Sequence, residues 1–370
     1  MGHVVTYTPG GHDLRTHECA TRAGVARMLA DVLGYAFAGE YDASRDYGGP
    51  LYFVPSDTLV GCAQAAALGI RGVGDLFGAV VAHPYVSTKS ITHGVVDGKA
   101  ATPAGWTPHF ARAVDGCVLR GYTAFHHDDA ARAGRALLDE SSVRVKRATG
   151  IGGGGQFVVD TPDALAEVLA TLAADELAAF GVVLEENLSD AQTYSVGRVD
   201  VAGIVATYCG TQRLTPNSHG AHVYGGSDLL VARGEYEALA ALPLGPDMRA
   251  AIDAALRYDR AADRHFEGFI ASRRNYDVVR GLDMNGTHRL GVLEQSWRIG
   301  GASPAEAGAL AAFKADPALT VVRARTVELY GPDAAVPPGA TVLYRDDDAR
   351  VGRLTKYTMI ETHTSFDADA

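Results

Sequence analysis

A run of glycines directly after a short apolar strand restricts the fold of this chain more than any other feature. The alternating segment 142–146 predicts a strand, and five glycines follow it at Gly150, Gly152, Gly153, Gly154 and Gly155. Glycine accepts positive φ and lets the backbone come close to a ligand. The ammonium of Lys146, at the end of the strand, and the backbone N–H groups of the glycine turn can then surround polyphosphate oxygens. The alternative is a hairpin turn with a solvated lysine. No Gly-Lys-Ser/Thr follows, so this is not a Walker loop.

The length of 370 residues exceeds what one hydrophobic core supports and predicts several packed subdomains. We predict an α/β N-terminal domain over 1–85, two α+β lobes over 86–190 and 191–316, and a C-terminal extension over 317–370. Strands are predicted at 3–7, 50–54, 142–146, 156–159, 181–185, 194–201, 203–210, 275–280, 289–295, 320–329 and 341–345. Helices are predicted at 19–33, 58–68, 107–114, 128–138, 161–172 and 247–266.

Composition narrows the class of protein. Hydrophobic residues make up 47% and charged residues 21%, which favours a globular chain over a disordered or fibrous one. No apolar run reaches the roughly 18 residues of a membrane span, and the N-terminus does not resemble a leader, so a cytoplasmic protein is expected. A formal charge of -11 disfavours nucleic-acid and membrane partners. The four cysteines form no Cys-x-x-Cys pair, so neither structural zinc nor disulfides are expected.

Two acids end an apolar strand at Glu185 and Glu186. A strand end of this kind can present backbone groups to an adenine edge and a carboxylate to a ribose hydroxyl. Solvated acids at a strand end are the alternative.

A second pair of acids, Asp277 and Glu294, lies on two predicted strands joined by a hairpin loop. In a hairpin they can face the same side and meet across the ladder. Two close carboxylates repel each other unless a cation lies between them, and magnesium held by carboxylates and phosphates is the usual solution. Pairing with neighbouring arginines is the alternative.

Two arginines are candidates for binding an anion. Arg298 precedes Gly300 and Gly301, a turn into a helix whose free N–H groups can hold an anion. Arg213 is a further candidate for an anionic substrate or a transferring phosphoryl group. A structural salt bridge is the alternative for each. The thirteen histidines include no His-x-x-x-His or His-Glu-x-x-His pair and are expected to be mostly structural.

Taken in order, these motifs resemble the ATP-grasp superfamily over roughly residues 85 to 310. Lys89 matches a lysine before the central domain, and Lys146 matches the strand lysine. The glycine run matches the lid, Glu185 to Leu188 match the hinge, and Glu294 to Arg298 match a Glu-x-Asn-x-Arg-like strand. Segments 88–93, 271–278 and 293–298 also resemble an uncharacterised bacterial branch of that superfamily.

This resemblance implies an ATP-grasp fold, in which a Rossmann-like N-terminal domain precedes two α+β lobes that clasp the nucleotide. It implies ATP as cofactor, with magnesium, or manganese as an alternative. The implied nucleotide contacts are Lys89, Lys146, Gly152, Gly153, Gly154, Gly155, Glu185, Glu186 and Leu188. The implied metal ligands are Asp277, Glu294 and Ser296. Ser296 stands where the family usually has asparagine, and a hydroxyl can still coordinate magnesium directly or through water.

The resemblance also implies the reaction. The family phosphorylates a carboxylate with ATP, and an amine or thiol then attacks the acyl phosphate, with release of ADP and phosphate. Lys146, Arg213 and Arg298 would be the catalytic residues, and the partners would be small-molecule carboxylates, amines or thiols, with a homodimer as an open option. A small-molecule kinase and a non-catalytic ATP-binding regulator are the alternatives, and Ser296 favours the latter. Segments 224–227 and 356–357 are expected either to line the acceptor pocket or to be packing elements.

Overall fold

The computed structural model describes residues 1–10, 16–150, 155–218, 220, 222–332 and 334–362. The β-strands are β1 (His3–Tyr7), β2 (Ala36–Glu40), β3 (Leu51–Pro55), β4 (Leu59–Val60), β5 (Ala79–Val81), β6 (Gly121–Ala124), β7 (Val143–Arg147), β8 (Gln156–Val159), β9 (Val182–Glu186), β10 (Ser189–Val201), β11 (Ile204–Pro216), β12 (His222–Arg233), β13 (Ile270–Ala271), β14 (Arg273–Leu282), β15 (His288–Ser296), β16 (Val321–Tyr330), β17 (Thr341–Asp348) and β18 (Gly352–Glu361).

The α-helices are α1 (His17–Leu33), α2 (Cys62–Ala67), α3 (Pro108–Val114), α4 (His127–Leu138), α5 (Pro162–Ala170), α6 (Ala174–Phe180), α7 (Tyr236–Ala240), α8 (Pro246–His265) and α9 (Ser303–Ala315). Short 3-10 helices lie at Val73–Asp75, Pro84–Ser87 and Lys89–Ile91. None of the helices in the described part of the chain has both the length and the apolarity needed to cross a membrane.

The N-terminal strands form a parallel sheet in the order β2-β1-β3. Helix α1 connects β1 to β2 and is capped by the Thr16 hydroxyl, which accepts a hydrogen bond from the N–H of Cys19. Val25, Leu29 and Val4 are fully buried between helix and sheet. This parallel βαβ unit confirms the predicted Rossmann-like start.

The second sheet is antiparallel, in the order β6-β9-β7-β8. Helices α4 and α5 bury Ala133, Leu137 and Leu165 against its strand residues Val145 and Leu184. The sheet carries two of the sequence-predicted sites, because β7 contains the strand lysine and β9 ends in the two acids.

The largest sheet has eight antiparallel strands in the order β15-β14-β10-β11-β12-β16-β18-β17. Helix α8 packs on one face, and α9 with α1 packs on the other. The hairpin β14–β15 forms one edge. The strands from the last fifty residues, β16 to β18, continue the same sheet.

The eight-stranded sheet curls around the first turn of α9. Glu306 accepts two hydrogen bonds from the Arg273 guanidinium of β14, both at 2.8 Å. The neighbouring residue Ala305 donates its backbone N–H to the Thr326 hydroxyl of β16 at 3.2 Å. Strands that are four positions apart in the sheet therefore meet within one helical turn, which makes the face next to the start of α9 a concave surface.

Candidate functional site

Two carboxylates face each other across the β14–β15 hairpin. Asp277 and Glu294 are direct Cα partners in the ladder, and the neighbouring pair on the same face is Asn275 with Ser296. All of these side chains except that of Asn275 are partly exposed. The structure thus brings together the three residues, Asp277, Glu294 and Ser296, that the sequence indicated as metal ligands.

Asp277 accepts hydrogen bonds from three neutral side chains through one carboxylate oxygen. The donors are Gln212 Nε2 at 3.0 Å, Asn275 Nδ2 at 3.1 Å and Ser195 Oγ at 3.4 Å. Burial and, after it, the charge of Glu294 raise the pKa of Asp277 to about 6, although the three hydrogen-bond donors oppose this rise. Ionised Asp277 therefore has an excess of negative charge around it that a cation would relieve.

The ammonium of Lys89 already lies at this carboxylate pair. Its Nζ is 2.6 Å from Glu294 Oε2 and donates to the carbonyl oxygen of Gly150 at 2.9 Å. Lys89 is only 5% exposed, so a largely desolvated positive charge contacts the outer carboxylate. In the free protein, Glu294 is therefore neutralised by Lys89.

The donor set fits magnesium. Within the described ranges, no three histidine, cysteine or acidic side chains converge on one point, so a cage made entirely of protein ligands is not formed there. Magnesium usually takes only one or two carboxylates and completes its shell with waters and phosphates. The pair Asp277 and Glu294, whose side chains are partly exposed, matches that requirement.

Lys146 forms a buried ion pair one sheet away. Its Nζ contacts Glu185 Oε1, and Glu185 Oε2 lies 3.3 Å from His93 Nε2. Lys146 and Glu185 are 2% and 1% exposed. Burial alone would raise the pKa of Glu185, but Lys146 and His93 hold it below its usual range.

The segment around Lys89 joins the two carboxylate clusters. Lys89 contacts Glu294 of the large sheet, while His93, four residues on, contacts Glu185 of the smaller sheet. Gln295 Nε2 fixes the start of the segment by donating to the carbonyl oxygens of Thr88 at 2.6 Å and Val86 at 3.2 Å. One short stretch of backbone therefore brings Lys89 to the carboxylate pair of the large sheet and His93 to the Lys146–Glu185 pair of the smaller sheet.

The remaining hinge candidates lie beside the same junction. Glu186 accepts from the Arg120 N–H at 2.9 Å and from Arg289 Nη2 of β15 at 3.0 Å, so it ties the smaller sheet to the large one. Leu188 packs in a small apolar cluster with Leu119 and Val279.

The two candidate anion-binding arginines differ in their surroundings. Arg298 Nε is 3.9 Å from Asp57 Oδ1, and its Nη1 donates to its neighbour's carbonyl, so its charge is only loosely compensated. Arg213 is paired with Asp228 at 2.6 Å and points to the face opposite Gln212. The structure brings Arg298 close to the hairpin edge but does not bring Arg213 to the carboxylate pair.

Of the lid glycines, Gly155 is described; Gly152, Gly153 and Gly154 lie outside the described residues.

Several contact residues were not anticipated from the sequence. Asn275 had a visible signal, because it stands two residues before Asp277 and must share its face in a strand. Gln212 and Ser195 reach Asp277 from other strands, and no local pattern connects them. Buried Arg273, which lies on the same strand as Asp277, forms an ion pair with Glu306 of α9.

Comparison with known protein families identifies the family of this chain. The sequence model of a family described as "Protein of unknown function (DUF3182)" matches residues 4–358. The chain belongs to this family. No curated protein matches the sequence.

Solved structures resemble the DUF3182 chain over nearly its whole length. A biotin carboxylase complex with β,γ-ATP from Campylobacter jejuni has a TM-score of 0.52 at 11% identity, covering 97% of this chain and 87% of that chain. An ATP complex of carboxyaminoimidazole ribonucleotide synthase from Aspergillus clavatus has 0.51 at 12%, covering 96% and 93%. Phosphoribosylamine–glycine ligase from Thermotoga maritima has 0.50 at 13%, covering 100% and 94%.

These similarities establish the fold of the DUF3182 chain. It is the ATP-grasp fold, preceded by a Rossmann-like unit, as the sequence predicted. In this chain the junction of the smaller antiparallel sheet with the large sheet carries two lysines, each paired with an acid, and the carboxylate pair of the hairpin. Chemically, such a set can neutralise a polyphosphate and hold a divalent cation.

Proposed function

We propose that the chain is an ATP- and magnesium-dependent ligase that joins a carboxylate to an amine or a thiol. One observation carries the proposal: Asp277 and Glu294 are cross-strand partners, and the Lys89 ammonium contacts Glu294 in the ATP-grasp fold. A cation site next to a phosphate-binding lysine is what phosphoryl transfer needs, because the transferred group carries charge on three oxygens.

The nucleotide would lie between the two lobes. Lys89 and Lys146 would contact its phosphates, which requires each lysine to exchange a carboxylate partner for phosphate oxygens. Glu185, Glu186 and Leu188 would line the adenine and ribose side, and Gly152 to Gly155 would cover the phosphates. Magnesium held by Asp277 and Glu294, with Ser296 beside them, would supply charge neutralisation at the β- and γ-phosphates.

The chemistry would proceed in two steps. A carboxylate oxygen of the substrate forms a bond to the γ-phosphorus while the bond from that phosphorus to the bridging oxygen breaks, and ADP leaves. The amine or thiol then attacks the acyl carbon, phosphate departs, and the nucleophile loses its proton. Arg298, whose charge is only loosely compensated, would hold the substrate carboxylate or the phosphoryl group. For Arg213 the same role stays a prediction.

The experiment is an ADP-release assay with paired substrates. We expect magnesium-dependent ADP release only when a carboxylate and an amine or thiol are both supplied. Release with one acceptor alone would identify a kinase instead. ATP binding without turnover across a broad panel would identify a regulator and contradict the ligase.

A cytoplasmic location and a homodimer belong to the proposal and are tested separately by fractionation and by light scattering.

A further inference from the structure

The face of the large sheet that α9 covers changes from apolar to polar at the first turn of that helix. On β16 the inward residues are Val322 and Ala324, followed by Thr326 and Glu328. Their partners on β18 follow the same order, with Thr358 opposite Thr326 and Lys356 opposite Glu328. The polar half begins where Thr326 accepts the Ala305 N–H, so it extends past the start of α9.

Lys356 and Glu328 form a buried ion pair in this polar half. Lys356 Nζ lies 2.8 Å from Glu328 Oε1, and the residues are 5% and 7% exposed. Among the residues that the structure describes, Glu328 is the one hydrogen-bond partner of this ammonium, which can donate three hydrogen bonds. Burying two charges costs several kcal/mol that one contact rarely repays, so the pair is a poor stabilising device.

Tyr224 connects this pair to the candidate active site. Its hydroxyl is 2.7 Å from Ser227 Oγ, and its ring lies against the Gly301 turn, where an added Cβ would be 2.4 Å from Tyr224 Cζ. Burial raises the pKa of Tyr224, and the charges of Glu328, Asp277 and Glu306 raise it further. Ser227, the partner of the Tyr224 hydroxyl, pairs across strands with Thr326 of β16 and with Gln212 of β11, which donates to Asp277, so this hydroxyl lies between the two sites.

We propose that Glu328 and Lys356 form the subsite for the headgroup of a zwitterionic substrate of the α-amino-acid class. This rests on the proposed ligase function, because it names the class of one substrate. The substrate ammonium pairs with Glu328 and its carboxylate pairs with Lys356, and the reacting end extends past Tyr224 towards Asp277. In the free protein the two side chains neutralise each other, so both are already in position to bind the substrate headgroup.

The opposite charges of Glu328 and Lys356 decide which class of ligand the subsite accepts. A plain carboxylate would pair with Lys356 and leave Glu328 buried without a partner, and a plain amine would do the reverse. An unpaired buried charge costs several kcal/mol. A ligand that carries both charges exchanges one ion pair for two and leaves neither residue unpaired. Discrimination against the singly charged analogues is therefore built into the pair.

The test uses the full-length chain and a charge-swapped variant, E328K/K356E, which keeps an ion pair at the same cross-strand position. The probes are the twenty protein amino acids with their decarboxylated amines and deaminated acids. Saturation-transfer NMR measures their contact with the protein without nucleotide. ADP release with magnesium, ATP and a panel of carboxylate, amine and thiol co-substrates measures turnover, and fluorescence of a labelled ATP analogue measures nucleotide affinity.

We expect wild type to bind and turn over at least one amino acid at least 100-fold better than its singly charged analogues. The swapped variant should keep its melting temperature and its nucleotide affinity within threefold, and lose amino-acid binding and turnover at least 100-fold. An unchanged response in the swapped variant would show that the pair is structural, as would wild type that prefers singly charged ligands. If the swap does not fold, E328Q and K356M are measured singly for the same losses. Failure of nucleotide binding in wild type would overturn the proposed function, whereas the NMR result judges the headgroup subsite by itself.

Discussion

Asp277 is the residue whose ionisation most directly controls the carboxylate pair. Its pKa of about 6 lies above the ordinary value of 3.8, so the folded protein binds this proton more tightly than the unfolded chain does. The contribution of Asp277 to the free energy of unfolding is therefore fully present below pH 3.8 and is lost as the pH rises through about 6. Two pKa units correspond to at most about 3 kcal/mol in the free energy of unfolding.

We predict that Asp277→Asn stabilises the metal-free protein above pH 6 and abolishes its response to magnesium. The amide oxygen can still accept from Gln212 and Asn275, while the repulsion with Glu294 disappears. Urea unfolding at pH 5 and pH 8, with and without magnesium, measures both effects. The variant should gain about 1 to 3 kcal/mol at pH 8 and about half as much at pH 5, because the loss of stability begins near the ordinary pKa of 3.8 and is complete just above 6. An equal gain at both pH values would show that charge repulsion is not the cause.

Lys89 holds Glu294 in the free protein and is proposed to move to ATP phosphates. We predict that Lys89→Met weakens ATP binding at least tenfold, about 1.4 kcal/mol, because a charge-assisted contact is lost. Lys99→Met is the matched control, since Lys99 is an exposed lysine ten residues away. Titration of a fluorescent ATP analogue measures both affinities. Equal affinities of the two variants would remove Lys89 from the nucleotide site.

At the level of single elements, the contact between β14 and α9 depends on one buried ion pair. Arg273 and Glu306 are 1% and 0% exposed, and the Tyr208 hydroxyl also donates to Glu306 at 2.6 Å. We predict that Arg273→Met lowers the free energy of unfolding by about 3 to 5 kcal/mol, because Glu306 is left as a buried unpaired charge. The double variant R273M/E306L should recover most of the loss. Chemical denaturation measures both, and a double variant as unstable as the single one would contradict this account.

The sequence predicted the elements with clear periodicity and missed those without it. Strands β14 and β15 were predicted within two residues at each end, because apolar residues alternate along them and a turn joins them. The predicted 58–68 helix is a two-residue strand followed by the six-residue α2. The strand is too short for its period to be read, and small residues around it suit a helix equally well.

Strand β12 was not predicted, although it is one of the longest. Its Gly225-Gly226 pair lowers the strand propensity of the segment and is typical of a turn. In the fold, Gly226 has φ of 138°, and a Cβ there would lie 2.0 Å from the Thr326 carbonyl oxygen. The glycines allow close approach of β16 beside a register shift at Arg213 and Leu214. Such a requirement comes from a neighbour a hundred residues away, which no local pattern contains.

The residues of the candidate site also fall into two groups, those that the sequence predicted and those that it could not predict. Asp277, Glu294 and Lys146 were predictable because strand position fixed the side on which each lies. Lys89 came from the family resemblance alone. Its contact with Glu294, and the contacts of Gln212 and Ser195 with Asp277, depend on how separate segments pack, so the sequence could not give them.

For the whole molecule, the cores do not follow the order of the chain. One core combines Val4 and Leu29 of the N-terminal unit with Leu229 and Leu310 of the large sheet and α9. The smaller antiparallel sheet has a core of its own, built from residues between 124 and 184. We therefore expect the parallel N-terminal sheet and the large sheet to open as one cooperative unit, and the smaller sheet to open separately.

Native-state hydrogen exchange on two matched core truncations tests this prediction. Leu310→Ala removes a fully buried side chain where α9 faces the shared core, and should lower the opening free energy of amides in β1 and β11 together by about 2 to 5 kcal/mol. Amides in β7 and β9 should keep their protection. Leu165→Ala, in the core of the smaller sheet, should give the reverse pattern, because its neighbours all belong to that core. If Leu310→Ala weakened β11 and left β1 unchanged, the N-terminal unit would have an independent stability that the shared core does not allow.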